Sequence, residues 1–577
     1  MAHSETPFRP GPEISISASP EEMDLEHSLD SPEKIEGEKN ILIAELPASE
    51  EQVNADTSGR APKKSWSFKF AFIGLAATLF VFQLDATCLG IALPTIAADL
   101  KGSSLESFWA SLAYTLCGLV MQPVWASISN VFGRKPPLYA SMGLFFIGSI
   151  VFATAQHMNF IIVGRVLQGL GGGGIDVLAE VILADMTTLE ERSTYIGLMS
   201  IPSAVGNIMG PTVGALFSTY ATWRWVGWIN LPFLGVGMPL LFFFLKLRPV
   251  PLDTTLVRNL SRVDWIGMAL VVIGITAFVV PLSWAGSLYP WAAWQTLLPM
   301  LLGAAVIVIF VFYEAKPTAP IIPHRLFHSK TGNVTLLGGF IHGILLISLL
   351  QYLPLLYQAV KLETAISSAV SLLPTSIISV VFAAISMMMV PLFGGYVWIL
   401  RLSWAILTLG TGLLALYDVG PSSSMRYGLP ILWGQGVALL RLNILPIQAS
   451  VKNVDDTGLV IGQFLSIRMF GGLIGLTISS AIFNSVFSTS ISDTTVELTG
   501  ALGPLKDASN AVNFIDQLRS LDVPLTTLDQ VLRVYLKCFR TIFYTMTGLS
   551  GLGLVTSLFL EEINLKKQEL GKQRFEG

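Results

Sequence analysis

FKFAFIGLAATLFVFQLDATCLGIALP, residues 68–94, has no charged side chain between Lys69 and Asp85. A helix on a soluble surface shows a polar residue every turn, and this one does not. Its length matches the roughly 20 apolar residues that cross a hydrocarbon core of about 30 Å. Asp85 then stands out, because a charge in mid-span costs roughly 2.5 to 3.5 kcal/mol unless it is paired or hydrated. The stretch predicts a membrane-spanning helix that keeps one acid for a reason.

The rest of the chain repeats the pattern. Of 577 residues, 52% are apolar and 13% charged, against about 25% charged in ordinary soluble domains. So few charges cannot cover several globular units, which excludes a soluble multidomain enzyme. Apolar runs begin near Phe68, Phe108, Pro137, Asn159, Thr194, Trp225, Trp265, Trp294, Asn333, Ile366, Tyr396, Tyr427, Leu459 and Cys538. They predict an all-α membrane protein with fourteen transmembrane helices. The first 64 residues hold 14 Asp and Glu against 6 Lys and Arg. That acidic, Ser- and Pro-rich segment, 1–65, reads as a disordered cytoplasmic tail. No basic stretch followed by an apolar one begins the chain, so no cleaved signal peptide is expected. Cys88, Cys117 and Cys538 lack metal-ligand spacing, and neither a disulfide framework nor a metal site is expected.

Basic residues set the orientation. Lys63, Lys64, Arg134, Lys135, Arg192, Arg248, Arg325, Lys330 and Lys452 flank spans on one side, whereas the short loops of the other hold only Lys101, Arg224, Lys361 and Arg426. The excess predicts that both termini face the cytoplasm. The sequons at Asn259 and Asn333 then fall on that side or within a span and stay unglycosylated. A weak repeat pairs Ala92-Leu93-Pro94, Lys101 and Phe132-Gly133 with Tyr352-Leu353-Pro354, Lys361 and Phe393-Gly394. Repeated helical bundles are how many secondary transporters are built.

Gly169-Leu170-Gly171-Gly172-Gly173-Gly174 satisfies the letter of a dinucleotide fingerprint, but it lies inside an apolar helix with no strand before it. No phosphate-binding GxxxxGK[ST] motif occurs. Neither nucleotide chemistry has its machinery here. Gly206, Gly210 and Gly214, spaced four apart with Pro211 among them, form the small-residue face of a close-packed, bendable helix.

Leu84-Asp85-Ala86-Thr87 with Ala92-Leu93-Pro94, Gly133-Arg134-Lys135, Arg165-Val166-Leu167-Gln168-Gly169, Gly206-x-x-x-Gly210-Pro211-x-x-Gly214, and Trp223-Arg224-Trp225 with Ile229-Asn230-Leu231-Pro232 follow one another in order. Over residues 66–560 this set resembles the major facilitator superfamily, specifically its fourteen-span drug:proton antiporters of fungal toxin and multidrug efflux type. The resemblance implies a major facilitator fold of two six-helix bundles, 66–250 and 331–560, plus two inserted helices in 251–330 and a cytoplasmic C-tail, 561–577. It implies proton-coupled export, and it marks Gly206, Gly210, Pro211 and Gly214 as the antiporter helix. The loop motif departs from the family pattern at Ala126 and Asn130, where Gly and Asp are usual. Gly133, Arg134, Lys135, Asp185, Glu191 and Arg192 form the expected cytoplasmic gate.

Helix arithmetic places the buried charges. Asp85 lies about 17 residues, or roughly 25 Å, from the inner start of its span, and Arg165 at a comparable height in the fourth. The two are expected to meet as the proton-coupling pair. Asp176 and Glu180 share a helix face and sit nearer the cytoplasm. Arg441 and Arg468 enter from the C-terminal half as candidate partners or secondary charge sites. His342, Gln351, Tyr352, Tyr357, Gln358, Gln435 and Gln448 are further polar candidates for a substrate cavity.

The expected function is therefore proton-coupled antiport of small amphipathic molecules, a fungal secondary metabolite, toxin or drug. A nutrient importer or uniporter on the same fold is the alternative, and a membrane-embedded enzyme or sensor the less favoured one. One proton moving down about 150 mV supplies roughly 3.5 kcal/mol, a concentration ratio near 300-fold. The partners expected are a small-molecule substrate, protons and the lipid bilayer, without nucleic acid or cofactor, for a monomer in the plasma membrane or, alternatively, the vacuolar membrane.

Overall fold

The computed structural model describes residues 64–250, 259–285, 289–317, 320–419, 423–494, 496, 498–565 and 571–577. The expected acidic tail lies outside them up to residue 63, as do Lys566 and Lys567. Among the described residues every long element is a helix. They are α1 (Trp66–Asp99), α2 (Ser104–Phe132), α3 (Lys135–Ala153), α4 (Met158–Met186), α5 (Leu189–Tyr220) and α6 (Asn230–Phe244), the last entered through the turn Trp225–Trp228. Then come α7 (Trp265–Trp284), α8 (Trp294–Tyr313), α9 (Lys330–Lys361), α10 (Ala365–Phe393), α11 (Val397–Leu414), α12 (Ser423–Leu442), α13 (Thr457–Ser492) and α14 (Leu525–Ser557).

Among the described residues, eleven helices are long and apolar enough to cross a membrane. The other three, α5, α12 and α14, are long but more polar, and a count of fourteen spans is compatible with the packing. Exposed side chains such as Phe242, Phe312 and Leu392 suit a lipid surround and would be unfavourable in water. The last helix begins at Leu525 rather than near Cys538. Asp529, Arg533 and Lys537 hide its first turns from a hydropathy reading. Val531, Leu532, Val534, Tyr535 and Cys538 are nonetheless buried there, and Tyr535 donates its hydroxyl to the Ala511 carbonyl at 2.6 Å. The segment before α14 folds into 3-10 turns whose Leu502, Leu505, Phe514, Ile515 and Leu518 are buried.

The sequence repeat has a backbone counterpart. Lys101 and Leu362, in the turns after α1 and α9, have φ of 53° and 56°, and Gly133 and Gly394, after α2 and α10, have 84° and 66°. Both pairs are 261 positions apart. Bulky residues at positive φ are rare. Positive φ thus recurs at the spacing of the repeat, although Gly133 and Gly394 differ in ψ, 168° against 15°.

Packing divides the helices. α1 lies against α5 and α6, and α4 against α2 and α3; in the second half, α9 packs on α13 and α14, and α12 on α10 and α11. α7 and α8 pair with each other, and α7 leans on α2 and α13. The glycine run of α4 explains its centrality. A β-carbon on Gly171 would sit 2.5 Å from the Phe145 nitrogen, one on Gly172 2.8 Å from the Phe82 ring, and one on Gly173 2.6 Å from the Gly118 oxygen. Three helices press on α4 where it has no side chains, so the pseudo-fingerprint is a packing hub.

Candidate functional site

Asp85 and Arg165 meet as the helix heights required. The Arg165 Nη1 donates to Asp85 Oδ2 at 2.6 Å, and both side chains are buried. The carboxylate is held by two more donors that the sequence did not assign, Gln168 Nε2 at 3.2 Å and Asn230 Nδ2 at 2.9 Å. Gln168 and Asn230 also donate to Ser149 Oγ, each at 3.1 Å. The guanidinium lies 4.1 Å from the Tyr114 ring centroid, and Tyr114 anchors its hydroxyl on the Phe82 carbonyl at 3.0 Å. The buried Asp85 carboxylate thus faces one guanidinium and two side-chain amides. α1, α2, α3, α4 and α6 each supply a member of this cluster, so its charge state bears on all five.

The helix beside it is α5. A β-carbon on Gly206 would meet the Phe80 carbonyl, one on Gly210 would come 2.8 Å from the Leu84 oxygen and collide with Thr87, and one on Gly214 would strike the Cys88 carbonyl. The glycine face thus lies directly on residues 80–88 of α1, the segment that presents Asp85. Pro211 lacks the N–H that would bond to the Asn207 carbonyl. Thr87 Oγ1 approaches that oxygen at 3.1 Å instead. Cys88 Sγ lies 3.0 Å from the Gly210 oxygen.

A second cluster joins the two halves. Glu180 of α4 is paired with Arg441 of α12, both buried. Arg441 Nη2 also donates to Ser203 Oγ at 3.0 Å, and Gln83 Nε2 donates to the same oxygen at 3.1 Å. One turn away, Asp176 accepts from Gln122 Nε2 at 2.9 Å and lies in the electrostatic field of Arg468 and Arg441. Among the described residues Arg468 has no ion pair within 4 Å, and its buried Nε has no hydrogen-bond partner. Carboxylates come from the first half and guanidinium groups from the second. The expected polar candidates divide accordingly. His342 is buried, with Nε2 2.8 Å from the Gly436 carbonyl, and Gln448 accepts from Arg192 at 3.2 Å. Gln351 is exposed, Gln358 donates to Ser368 Oγ at 3.0 Å, and Tyr352 and Tyr357 are buried in apolar packing. The Gln435 side chain lies outside the described residues.

The third cluster lies on the face that carries residues 64 and 571–577, the tail face. Arg134 Nε donates to Asp185 Oδ2 at 2.8 Å. Its Nη1 reaches Ser129 Oγ at 2.8 Å and Asn130 Oδ1 at 2.5 Å. Asn130, where an acid was usual, therefore serves as an acceptor. Gly133, at φ 84°, turns the chain so that Arg134 points inward. Glu191 pairs with Lys64 at 2.6 Å rather than with the loop. Arg192 caps carbonyls of Ala184 and Thr187 at 2.7 and 3.1 Å. Lys135 is half-buried and takes no part in the Arg134 ion pair. Of the six residues expected in a cytoplasmic gate, Arg134 and Asp185 meet in a buried ion pair, a latch between the α2–α3 turn and the end of α4, with Arg192 beside it. On the same face Arg325 forks onto Asp456 with two contacts of 2.7 Å, which fastens the segment before α9 to the start of α13.

Comparison with known proteins bears on the family and the fold. The family model described as Major Facilitator Superfamily matches residues 75–476. The chain is 80% identical over 532 residues to the MFS-type transporter sphD of Aspergillus fumigatus, covering 92% of each. It is 32% identical over 544 residues to the efflux pump FUS6 of Gibberella moniliformis, covering 93% of this chain and 95% of that one. Among solved structures it is similar to the human organic anion transporter MFSD10 (TETRAN), with a TM-score of 0.51, 15% identity, and coverage of 86% of this chain and 100% of that one. At that identity the likeness concerns the fold alone. The chain belongs to the Major Facilitator Superfamily and is an integral membrane transporter, in a family and fold that are not enzymes.

Proposed function

We propose that this transporter exports small amphipathic molecules, of the fungal secondary-metabolite or toxin class, in exchange for protons. The observation that carries the reading is the position of Asp85: a buried carboxylate on the stretch of α1 against which the glycine face of α5 is pressed. Protonating it removes the counter-charge of Arg165, which keeps Gln168 Oε1 at 3.1 Å and the Tyr114 ring as its partners. The amides of Gln168 and Asn230 then face a neutral acid, and the balance among the five helices changes. That change is the bias toward the opposite-facing state. Arg441–Glu180 is a contact across the halves that must loosen as they rock.

The efflux-pump names of curated relatives, FUS6 among them, support the direction of transport. In this reading residues 66–250 and 331–560 are the two bundles, 251–330 the insert, and the tail face is cytoplasmic. The energy source is the proton gradient, with no bound cofactor, and the protein works as a monomer in the plasma membrane. Asp176, Glu180, Arg441 and Arg468 line the passage and set which polar groups the cargo carries. The experiment compares metabolites retained by cells deleted for this gene with those of wild-type cells. A small amphipathic product retained on deletion, and released again by wild-type but not by Asp85→Asn protein, is the expected result. Equal metabolite contents in deleted and wild-type cells would contradict export.

A further inference from the structure

Residues 571–577, Gly-Lys-Gln-Arg-Phe-Glu-Gly, cross the tail face and fasten to both halves of the molecule. On the first half, Gln573 is nine-tenths buried. Its Oε1 accepts from the Arg134 backbone N–H at 3.1 Å, and its Nε2 donates to the Ser129 carbonyl at 3.4 Å. The Phe575 N–H donates to the Asp185 carbonyl at 3.3 Å, and its ring stands edge-on to Phe68 at 5.8 Å. Glu576 N–H donates to the Lys246 carbonyl at 2.8 Å, and Arg248 N–H to the Arg574 carbonyl at 3.0 Å, a short antiparallel pairing beyond α6. Ser65 Oγ closes the path on the Gly577 carbonyl at 2.7 Å. On the second half, Asp455 accepts from the Lys572 N–H and from its Nζ, both at 3.0 Å.

Each of these groups has a partner chosen by position. Gln573 satisfies both sides of the loop that holds the latch arginine, and Phe575 shares with Arg134 the residue Asp185 at the end of α4. Asp455 sits just before α13, in the other half. A segment tied to both rims of one face stays fully bonded only while those rims are close. When they part, it must leave Asp455 or leave the Arg134–Asp185 loop, because seven residues held at so many points have no slack.

We propose that residues 571–577 are a built-in strap that holds the tail face shut and whose release accompanies each opening. Contacts made in one state only stabilise that state by their full net worth. A handful of such hydrogen bonds is enough to move the closed-to-open ratio about tenfold or more. The strap therefore sets the resting conformation and the rate of return to it. This holds whatever ion drives transport, and so stands apart from the proton-coupling reading.

The test places nitroxide labels on cysteines substituted for Glu190, at the start of α5, and Leu392, near the end of α10, both exposed, with Cys88, Cys117 and Cys538 replaced by alanine. Pulsed electron resonance then measures the separation of the two rims in lipid nanodiscs. Gln573→Ala with Phe575→Ala in the full chain, and separately deletion of 571–577, should raise the long-distance fraction about tenfold over the labelled parent. The free peptide GKQRFEG should return it toward the parent value, with the melting temperature changed little. Distance distributions that superimpose on the parent overturn the proposal. So does a shift that the peptide does not reverse, since that marks damage to the fold rather than release of a strap.

Discussion

Thr87 on α1 brings its hydroxyl to 3.1 Å from the carbonyl oxygen of Asn207 on α5, the oxygen that Pro211 leaves without a helical donor. A proline in a buried helix normally costs a hydrogen bond, and here the neighbouring helix supplies it. The contact ties the bendable point of α5 to the segment that carries Asp85. Thr87→Val keeps the shape and removes the donor. An unsatisfied buried carbonyl costs about 1 to 3 kcal/mol, so the variant should melt several degrees lower, while Thr87→Ser should not. Equal melting of Val, Ser and parent proteins would show that the carbonyl finds another partner.

The glycine face allows a sharper substitution. A β-carbon at Gly210 would lie 2.8 Å from the Leu84 oxygen and collide with Thr87. Neither neighbour is the free end of a flexible chain, so α5 must move off α1. Gly210→Ala should cost about 1 to 3 kcal/mol, as overpacking does, and Gly210→Val more. Gly143, whose added β-carbon meets nothing within 4 Å, serves as the control, and Gly143→Ala should be silent in stability and transport.

Glu180 and Arg441 form a buried pair across the two halves. Removing one partner of such a pair typically costs about 3 to 5 kcal/mol, because the other charge stays behind. Glu180→Gln and Arg441→Gln should each lower stability and transport strongly. The exchange Glu180→Arg with Arg441→Glu should recover part of both. Its failure to recover either would mean that Ser203 and Gln83, rather than the charges, fix this contact.

Glu314, at the end of α8, is buried, and that burial raises its carboxyl above the ordinary range; the Ile322 N–H donating to it acts the other way. For an acid whose folded value is raised, the stabilising contribution is complete below the ordinary carboxylate range and is lost as pH rises through the raised value. Glu314 should therefore contribute a fall in melting temperature as pH rises above the ordinary carboxylate range. Glu314→Gln should flatten that slope and be the more stable protein at neutral pH. A parallel slope in the variant would assign the pH dependence elsewhere.

Much of this was legible in the chain. The uncharged run before Asp85 gave the first span, and the rise per residue put Asp85 and Arg165 at one height, where they are found at 2.6 Å. The four-residue spacing of Gly206, Gly210 and Gly214 gave a packing face. What the face touches was not legible, because helix rotation is set by partners distant in sequence. For the same reason Gln168 and Asn230 were quoted within motifs without their role as Asp85 donors, and Ser149, Tyr114 and Gln122 carried no signal at all. Opposite charge made Arg441 and Arg468 candidate partners for Asp176 and Glu180, but that Arg441 takes Glu180, 261 residues away, was not legible, because periodicity within a helix cannot choose a partner across two halves. The strap was read only as part of a cytoplasmic C-tail, 561–577, since its bonds go largely to backbone groups that no side-chain pattern encodes.

The central claim is that Asp85 couples proton movement to cargo export. The most direct measurement reconstitutes parent and Asp85→Asn proteins in liposomes with the metabolite retained by deletion cells, and follows its uptake under an imposed pH difference. The parent should concentrate the metabolite only while the pH difference lasts, and collapse on addition of a proton ionophore. Asp85→Asn should equilibrate the metabolite without concentrating it. Uphill movement by the parent with neither pH difference nor voltage, or undiminished proton-driven uptake by Asp85→Asn, would contradict the account.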